Sequence, residues 1–357
     1  MKSVHNVNMR EIARLSGVAP STVSRVLNKR AGIIPIASET RERVMEAVNK
    51  LGYRPNVHAK RLFSQKSSII GMVVPPSNRL TGGIDNKNAL HVDVLQAETL
   101  SGAVDAARRR NYHIMVIVAD DAFLREKDYL NLFRSRNIDG LLIWGICLDE
   151  NYVEELAQEQ NSFILLNTHQ GGKNYNRICV NNYGGSATIC RHLLQLNHQR
   201  IAYIGGMKTS TIGLEREEGF LDVLKAENRF NPRLFIRGDY SLESGEFACQ
   251  TLLKRDPTLT AIGCANDRMA LGAIEAIKKH GLRVPEDISI TGADACFPFS
   301  HPRLTSFCPP LIQVGLKGAE ALIDHLENRE VQENNNPWID LLLEPEFVPG
   351  ESTGFCK

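Results

Sequence analysis

From Ile69 to Asn328 the chain repeats one pattern, a short continuous apolar run followed by a longer amphipathic stretch. Strands are expected at Ile69–Val74, Ile114–Ala119, Gly140–Trp144, Phe163–Leu166, Ile201–Gly205, Ala261–Cys264 and Ile288–Thr291. Helices are expected around Leu95–Arg110, Leu124–Arg136, Tyr152–Gln160, Ser186–Leu196, Glu217–Ala226, Ser244–Lys254, Met269–His280 and Leu311–Asn328. Strands with no polar alternation are buried on both faces, and strands separated by helices run parallel in one covered sheet. A break near Ile178–Gly185 divides the pattern into two α/β lobes. Such sheets bind ligands beyond the carboxyl ends of their strands, so a cleft is expected there, between the lobes.

The N-terminal part obeys a different rule. Residues 1–66 carry 13 Lys+Arg against 4 Asp+Glu, a balance of +9, in a chain whose net charge is only +1. A basic head on an acidic body points to a polyanionic partner at one end. Within it, Val7–Asn28 reads as a helix-turn-helix. Asn8 and Glu11 have capping-box spacing, Val7 and Ile12 that of a hydrophobic staple, and Ile12, Ala13 and Leu15 share an apolar face. Gly17 supplies the left-handed turn residue, with Val18 as a buried plug. Pro20 opens the second helix, which buries Val23, Val26 and Leu27. Its other face presents Ser21, Thr22, Ser24, Arg25 and Asn28, short hydrogen-bonding side chains and one arginine that suit phosphates and base edges in a major groove. A third helix is expected over Ser38–Leu51, ended by Gly52. A small helical bundle with a polar, solvated face would share many of these signals.

Other classes find less support. No N-terminal apolar signal segment and no apolar run of membrane-spanning length occurs, so a cytoplasmic chain with no membrane partner is expected. The eight cysteines show neither CxxC nor zinc spacing, so reduced core thiols, no metal and no cofactor are expected. No GxxxxGK[ST], GxSxG or HExxH motif marks an enzyme, and Gly205-Gly206-Met207-Lys208-Thr209 has the wrong spacing for a phosphate loop. A solute-binding protein would share the lobes but needs an export signal and no helix-turn-helix.

The helix-turn-helix, the third helix, the Tyr53-Arg54-Pro55-Asn56 junction and the basic run Val57–Lys66 occur in the order and spacing of the lactose/galactose repressor (LacI/GalR) family. The resemblance continues through NIDGLLI (Asn137–Ile143), NHQRIAYIGG (Asn197–Gly206), LEREEGF (Leu214–Phe220), GDYSLESG (Gly238–Gly245), ANDRMALGA (Ala265–Ala273), LRVPEDISITGAD (Leu282–Asp294) and EST (Glu351–Thr353). It implies an all-α headpiece over 1–55, a hinge over 56–67, and a two-lobed periplasmic-binding-protein-like (type I) effector domain over 68–357. The chain would cross between lobes three times, with lobe one at about 68–178 and 310–337 and lobe two at about 179–309 and 338–357.

The resemblance also implies roles. Arg216 matches an arginine that grips effector hydroxyls or carboxylates. Asn266 and Asp294 match polar cleft residues of the second lobe, while Trp144 and Asn167 take strand-end positions in the first. Against this, an Asn or Asp after a strand is commonly a helix cap, with Asp267 the candidate beside Asn266, and Trp144 can be plain packing. In the hinge, Leu62 would wedge into the minor groove, with Ala59 near its floor and Lys60 and Arg61 near phosphates. Departures are Pro20 in place of a longer polar or aromatic residue, the apolar insertion Lys29–Ala37, the stretch Ser77–Val92 as a possible lid, and Asn181, Ala295 and Gly350 in place of two acidic residues and an arginine. The expected function is a dimeric regulator, most simply a repressor, that binds a pseudo-palindromic double-stranded DNA operator under control of a small effector. A sugar is the first choice of effector and a purine-like metabolite the second. An effector-independent DNA-binding regulator is the remaining alternative.

Overall fold

The computed structural model describes residues 8–27, 36–53, 66–76, 94–145, 151–170, 174–328 and 339–356. The chain separates into two compact units, residues 1–66 and 67–357. The expected hinge residues Ala59, Lys60, Arg61 and Leu62, the lid candidate Ser77–Val92, Asn28, Val7 and Cys147 fall outside the described residues.

In the first unit, α1 spans Met9–Ser16, α2 Pro20–Leu27 and α3 Ser38–Leu51. The capping box is present: the Asn8 side chain accepts from the backbone N–H groups of Arg10 and Glu11, and Glu11 Oε2 accepts from Asn8 N at 3.1 Å. Gly17 ends α1 at φ 68°. Ile12, Ala13, Val23, Val26, Val44, Ala47 and Val48 form the small core. Val18 and Leu27, expected inside, are partly buried against it. Leu15 is not in that core but 46% exposed. At 100° per residue the inward face runs through Ile12, Ala13 and Ser16, which leaves Leu15 beside it.

The second unit begins with β1 (Ile69–Val74), α4 (Val94–Arg109), β2 (His113–Val118), α5 (Asp121–Arg125), α6 (Asp128–Arg134), β3 (Gly140–Trp144), α7 (Tyr152–Gln158), β4 (Phe163–Leu166) and β5 (Arg177–Val180). It continues with α8 (Asn182–Gln195), β6 (Ile201–Gly205), α9 (Thr211–Ala226), β7 (Phe235–Arg237), α10 (Leu242–Arg255), β8 (Ala261–Cys264), α11 (Asp267–Lys279), β9 (Ser289–Thr291) and β10 (Ser306–Cys308). It ends with α12 (Leu311–Asn328), β11 (Asp340–Leu343) and β12 (Glu346–Val348). A six-stranded parallel sheet in the order β11-β5-β4-β3-β1-β2 makes lobe one, and a four-stranded parallel sheet, β7-β6-β8-β9, makes lobe two. Strands β10 and β12 form a separate antiparallel pair.

Both faces of the first sheet are covered. Leu142 and Trp144 pack with residues of α4 and α12, and Leu141 and Ile143 with residues of α5, α6 and α7. Helices α4 and α12 cross almost backbone to backbone, since a Cβ on Gly102 would stand 1.9 Å from Ile312 O and one on Gly315 1.8 Å from Thr99 O.

Two lobe boundaries need correction. The expected change of lobe at 178 to 179 falls inside β5, which belongs to the first sheet, and β11 adds to the same sheet although 338–357 was expected in lobe two. The chain crosses instead after Val180, after Cys308 and after Leu343. The crossings lie together: Asn181 Nδ2 donates to both carboxylate oxygens of Glu344 at 3.0 Å, and Gly185 faces Pro345 and Phe307. Asn181 also caps α8 through Gly184 N at 2.8 Å. Gly350, where an arginine was expected, has no room for one, as its Cβ would lie 2.3 Å from Leu304 C.

Candidate functional site

A cavity of about 160 Å³ opens between the lobes. Trp144, Asn167, Arg216, Asn266 and Asp294 all line it. They converge because four of them follow carboxyl ends of strands: Trp144 closes β3, Asn167 follows β4, Asn266 follows β8 and Asp294 follows β9. Arg216 comes from the second turn of α9, whose cap Ser210 accepts from Gly213 N at 3.2 Å and also lines the cavity.

Arg216 is 4% exposed and fully engaged with the fold on one side. Its Nε donates to Asn182 Oδ1 at 3.0 Å, one Nη to Ala265 O at 2.8 Å, and the other to Asp294 Oδ1 at 2.6 Å. The Phe307 ring lies 5.1 Å below the guanidinium carbon. Burial works against the guanidinium charge, but Asp294 holds it, and the balance raises its pKa. Three of the guanidinium's five N–H groups are thus used, which leaves two for the cavity.

Asn167 has φ 46°, and its Oδ1 accepts from Val180 N at 3.2 Å and Asn182 Nδ2 at 3.3 Å. Its Nδ2 has no partner among the described residues. Trp144 serves both readings: the ring belongs to the core of lobe one and also forms cavity wall. Asn266, and not Asp267, is the cap of α11, accepting from Met269 N at 2.9 Å while its Nδ2 donates to Tyr240 O at 3.1 Å. Its amide is therefore committed to the fold at both ends. The cavity wall holds three non-glycine residues at positive φ, Asn167, Tyr240 at 71° and Asp294 at 106°. Such conformations cost about 1–3 kcal/mol each and gather at binding sites.

Sequence reasoning missed several residues here. Asn182 ties the lobes together: its Nδ2 donates to Asn167 Oδ1, to Val180 O at 3.2 Å and to Glu215 Oε2 at 3.3 Å, and its Oδ1 accepts from Arg216. Beside it, Thr168 and Thr211 hydroxyls meet at 3.3 Å and His169 Nε2 lies 3.0 Å from Glu215 Oε1. Asp267 accepts from Ser306 Oγ at 2.8 Å and Cys296 N at 2.9 Å, which pins the loop carrying Asp294. Burial and then the neighbouring Asp294 charge push its carboxyl up to about 7. Ser210, Ile212, Tyr240, Arg268, Cys296 and Phe297 complete the second lobe's wall. The only sequence signal for most of them was adjacency to a matched residue.

In the headpiece, Ser21 is exposed and Thr22, Ser24 and Arg25 are half-buried on α2, away from its core stripe of Val23 and Val26. No helix among the described residues is long and apolar enough to cross a membrane.

The chain thus joins a helix-turn-helix unit to two α/β lobes whose shared cavity is mostly apolar with a few polar groups, an architecture that alone does not assign a function. Residues 8–56 match the model of bacterial regulatory proteins, lacI family, and residues 190–353 the periplasmic binding protein-like domain. The chain is 31% identical over 358 residues to the HTH-type transcriptional regulator AglR of Rhizobium meliloti, covering 98% of this chain and 94% of that one. It is 30% identical over 330 residues to the probable HTH-type transcriptional repressor ExuR of Bacillus subtilis, covering 91% and 93%. Among solved structures, a lac repressor dimer bound to operator and the anti-inducer ONPF superimposes with TM-score 0.79 at 25% identity, covering 98% of this chain and 99% of that one. A complex of the transcriptional regulator CelR with cellobiose gives 0.71 at 26%, covering 97% and 99%. The chain belongs to the lacI family and is a DNA-binding transcriptional regulator.

Proposed function

We propose that this regulator is a repressor that binds a pseudo-palindromic operator as a homodimer and is gated by a sugar in the interlobe cavity. The observation that carries the reading is the convergence of Trp144, Asn167, Arg216, Asn266 and Asp294 on one cavity, with donor capacity left on Arg216 and Asn167. An aromatic wall and spare N–H donors suit a ring bearing hydroxyls. The cellobiose complex of CelR supports a sugar, and the lac repressor dimer on its operator supports the dimer and the DNA. A ligand touching Asn167 from one lobe and Arg216 from the other would favour one degree of closure, and so bias the population of chains able to hold DNA.

Ser21, Thr22, Ser24, Arg25 and Asn28 would face the major groove, and Ala59, Lys60, Arg61 and Leu62 the minor groove. Phosphate contacts would supply most of the affinity and base contacts the choice of site. A dimer face is supported by an apolar groove on lobe two, lined by Leu242, Leu271, Ile274, Phe297 and Pro298 and rimmed by Phe299, which is 90% exposed.

Selection of bound duplexes from a random pool, with and without a panel of sugars, tests the whole reading. A recovered palindrome whose enrichment changes with one sugar is expected. Enrichment that no small molecule alters would favour the effector-independent alternative, and no enrichment at all would sink the repressor reading.

A further inference from the structure

Two segments of the chain build both the cavity wall and a seam beside it. Asn167 lines the cavity, but the next two residues, Thr168 and His169, are not part of its wall. Ser210, Ile212 and Arg216 line it, but Thr211 and Glu215 between them do not. The residues left out of the wall meet one another across the lobes. Thr168 and His169 follow β4 of lobe one, whereas Thr211 and Glu215 stand on α9 of lobe two. The Thr168 and Thr211 hydroxyls, both buried, are 3.3 Å apart, and His169 Nε2 is 3.0 Å from Glu215 Oε1. The other carboxylate oxygen of Glu215 accepts from Asn182 Nδ2 at 3.3 Å. Each side is anchored in its own lobe. Cys179 Sγ of β5 donates to Thr168 O at 3.3 Å, and Ser210 caps the turn of α9 that carries Thr211.

We propose that His169 and Glu215, with the Thr168–Thr211 contact beside them, form a clasp that sets the closure of the lobes from outside the cavity, which makes Glu215 a positioning residue for this regulator's DNA binding. Because the clasp lies off the cavity wall, it biases the balance between open and closed lobes whatever the cavity holds. It also governs the cavity. Asn167 and Arg216 sit next in sequence to clasp residues, so they can meet one ligand only while the two segments are held together. Asn182, bonded to Asn167, Glu215 and Arg216 at once, ties the clasp to both of them. Hydrogen bonds of this kind each shift an equilibrium several-fold, the range in which coupled sites act on one another. The effect on DNA rests on the lobes gating operator binding.

The test compares a broken clasp with a locked one in the full chain. Glu215→Ala and His169→Ala each break it. Thr168→Cys with Thr211→Cys, oxidised, locks it, since the two hydroxyls are already close enough for sulfurs in their place to bond; peptide mass spectrometry confirms the cross-link. Small-angle X-ray scattering of the free protein reads closure, and the duplex recovered from the random pool reads DNA affinity. The broken variants are expected to show a larger radius of gyration than the locked one. Breaking should change operator affinity by about threefold or more, and locking should move it in the opposite direction. His169→Gln, which keeps a donor for Glu215, should stay within about twofold of wild type. Coinciding scattering profiles, a cysteine pair that does not cross-link, or operator affinities that broken and locked forms move the same way would each overturn the proposal. Scattering that separates the forms while operator affinity stays within about twofold in both, or while no duplex is recovered, upholds the clasp and rejects the gating of DNA by the lobes.

Discussion

Replacing Arg216 by methionine should be among the most damaging single changes in the second unit, well before any effector is considered. The side chain is 4% exposed, and Asp294, its ion-pair partner, is 7% exposed. Methionine keeps an apolar stem over Phe307 but strands three acceptors: Asn182 Oδ1, Ala265 O and the Asp294 carboxylate. Leaving one partner of a buried pair uncompensated costs about 3–5 kcal/mol. If the stranded charge is the cause, Arg216→Met with Asp294→Asn should recover more than half of the loss, because the remaining acceptors are neutral. Urea denaturation of the second unit's transition, followed by tryptophan fluorescence, measures both variants. A loss under about 1 kcal/mol for the single variant, or a double variant no more stable than it, would refute the view that this pair is held against a desolvation cost.

Three further outcomes follow from particular contacts. Gly315→Ala should destabilise lobe one by about 1–3 kcal/mol or more, because its Cβ would sit 1.8 Å from Thr99 O where α4 and α12 cross; a thermal midpoint equal to wild type would contradict the crossing. Asp267 gains a proton in the folded state at pH values where the unfolded chain has lost it, its carboxyl being pushed up to about 7 from 3.8. Stability should therefore fall as pH rises from about 4 to about 7, by at most roughly 1.4 kcal/mol per pH unit, and Asp267→Asn should flatten that slope in denaturation curves. Asn8→Ala should cost the headpiece about 1 kcal/mol, read as faster amide exchange in α1, since it removes the acceptor for Arg10 N and Glu11 N.

The elements that were legible share a physical reason. β1, β3, β4, β6 and β8 are apolar along their whole length because helices cover both faces of each sheet, and all five lie where expected. The five missed strands, β5, β7, β10, β11 and β12, are three or four residues long and carry Arg177, Arg237, Asp340 and Glu346. In β5 and β11 the charges belong to one pair, Arg177 and Asp340, joined at 2.7 and 2.8 Å, which no local pattern reveals. The single helix expected over Leu124–Arg136 is two, because Lys127 takes φ 54° between them. Helices α8 and α9 begin four and six residues before the expected positions. Their caps, Asn181 and Ser210, precede glycines that weaken the helical signal.

The site was legible to the extent that it follows strands. Trp144, Asn167, Asn266 and Asp294 stand at or beyond the carboxyl ends of parallel strands, where such sheets bind ligands, and the family resemblance singled them out among the residues there. What each does there was not legible, because that depends on partners distant in sequence. Asn266 lines the cavity yet spends its amide on α11 and Tyr240 O, whereas Asn182, not singled out beforehand, joins Asn167 in lobe one to Arg216 in lobe two. Asp267 holds the Asp294 loop through Ser306 and Cys296, 39 and 29 residues away. A cleft built this way separates two duties. The groups at strand ends line the cavity, and the groups behind them fix where those ends stand, so substitutions in the second set should alter affinity for every cavity ligand alike.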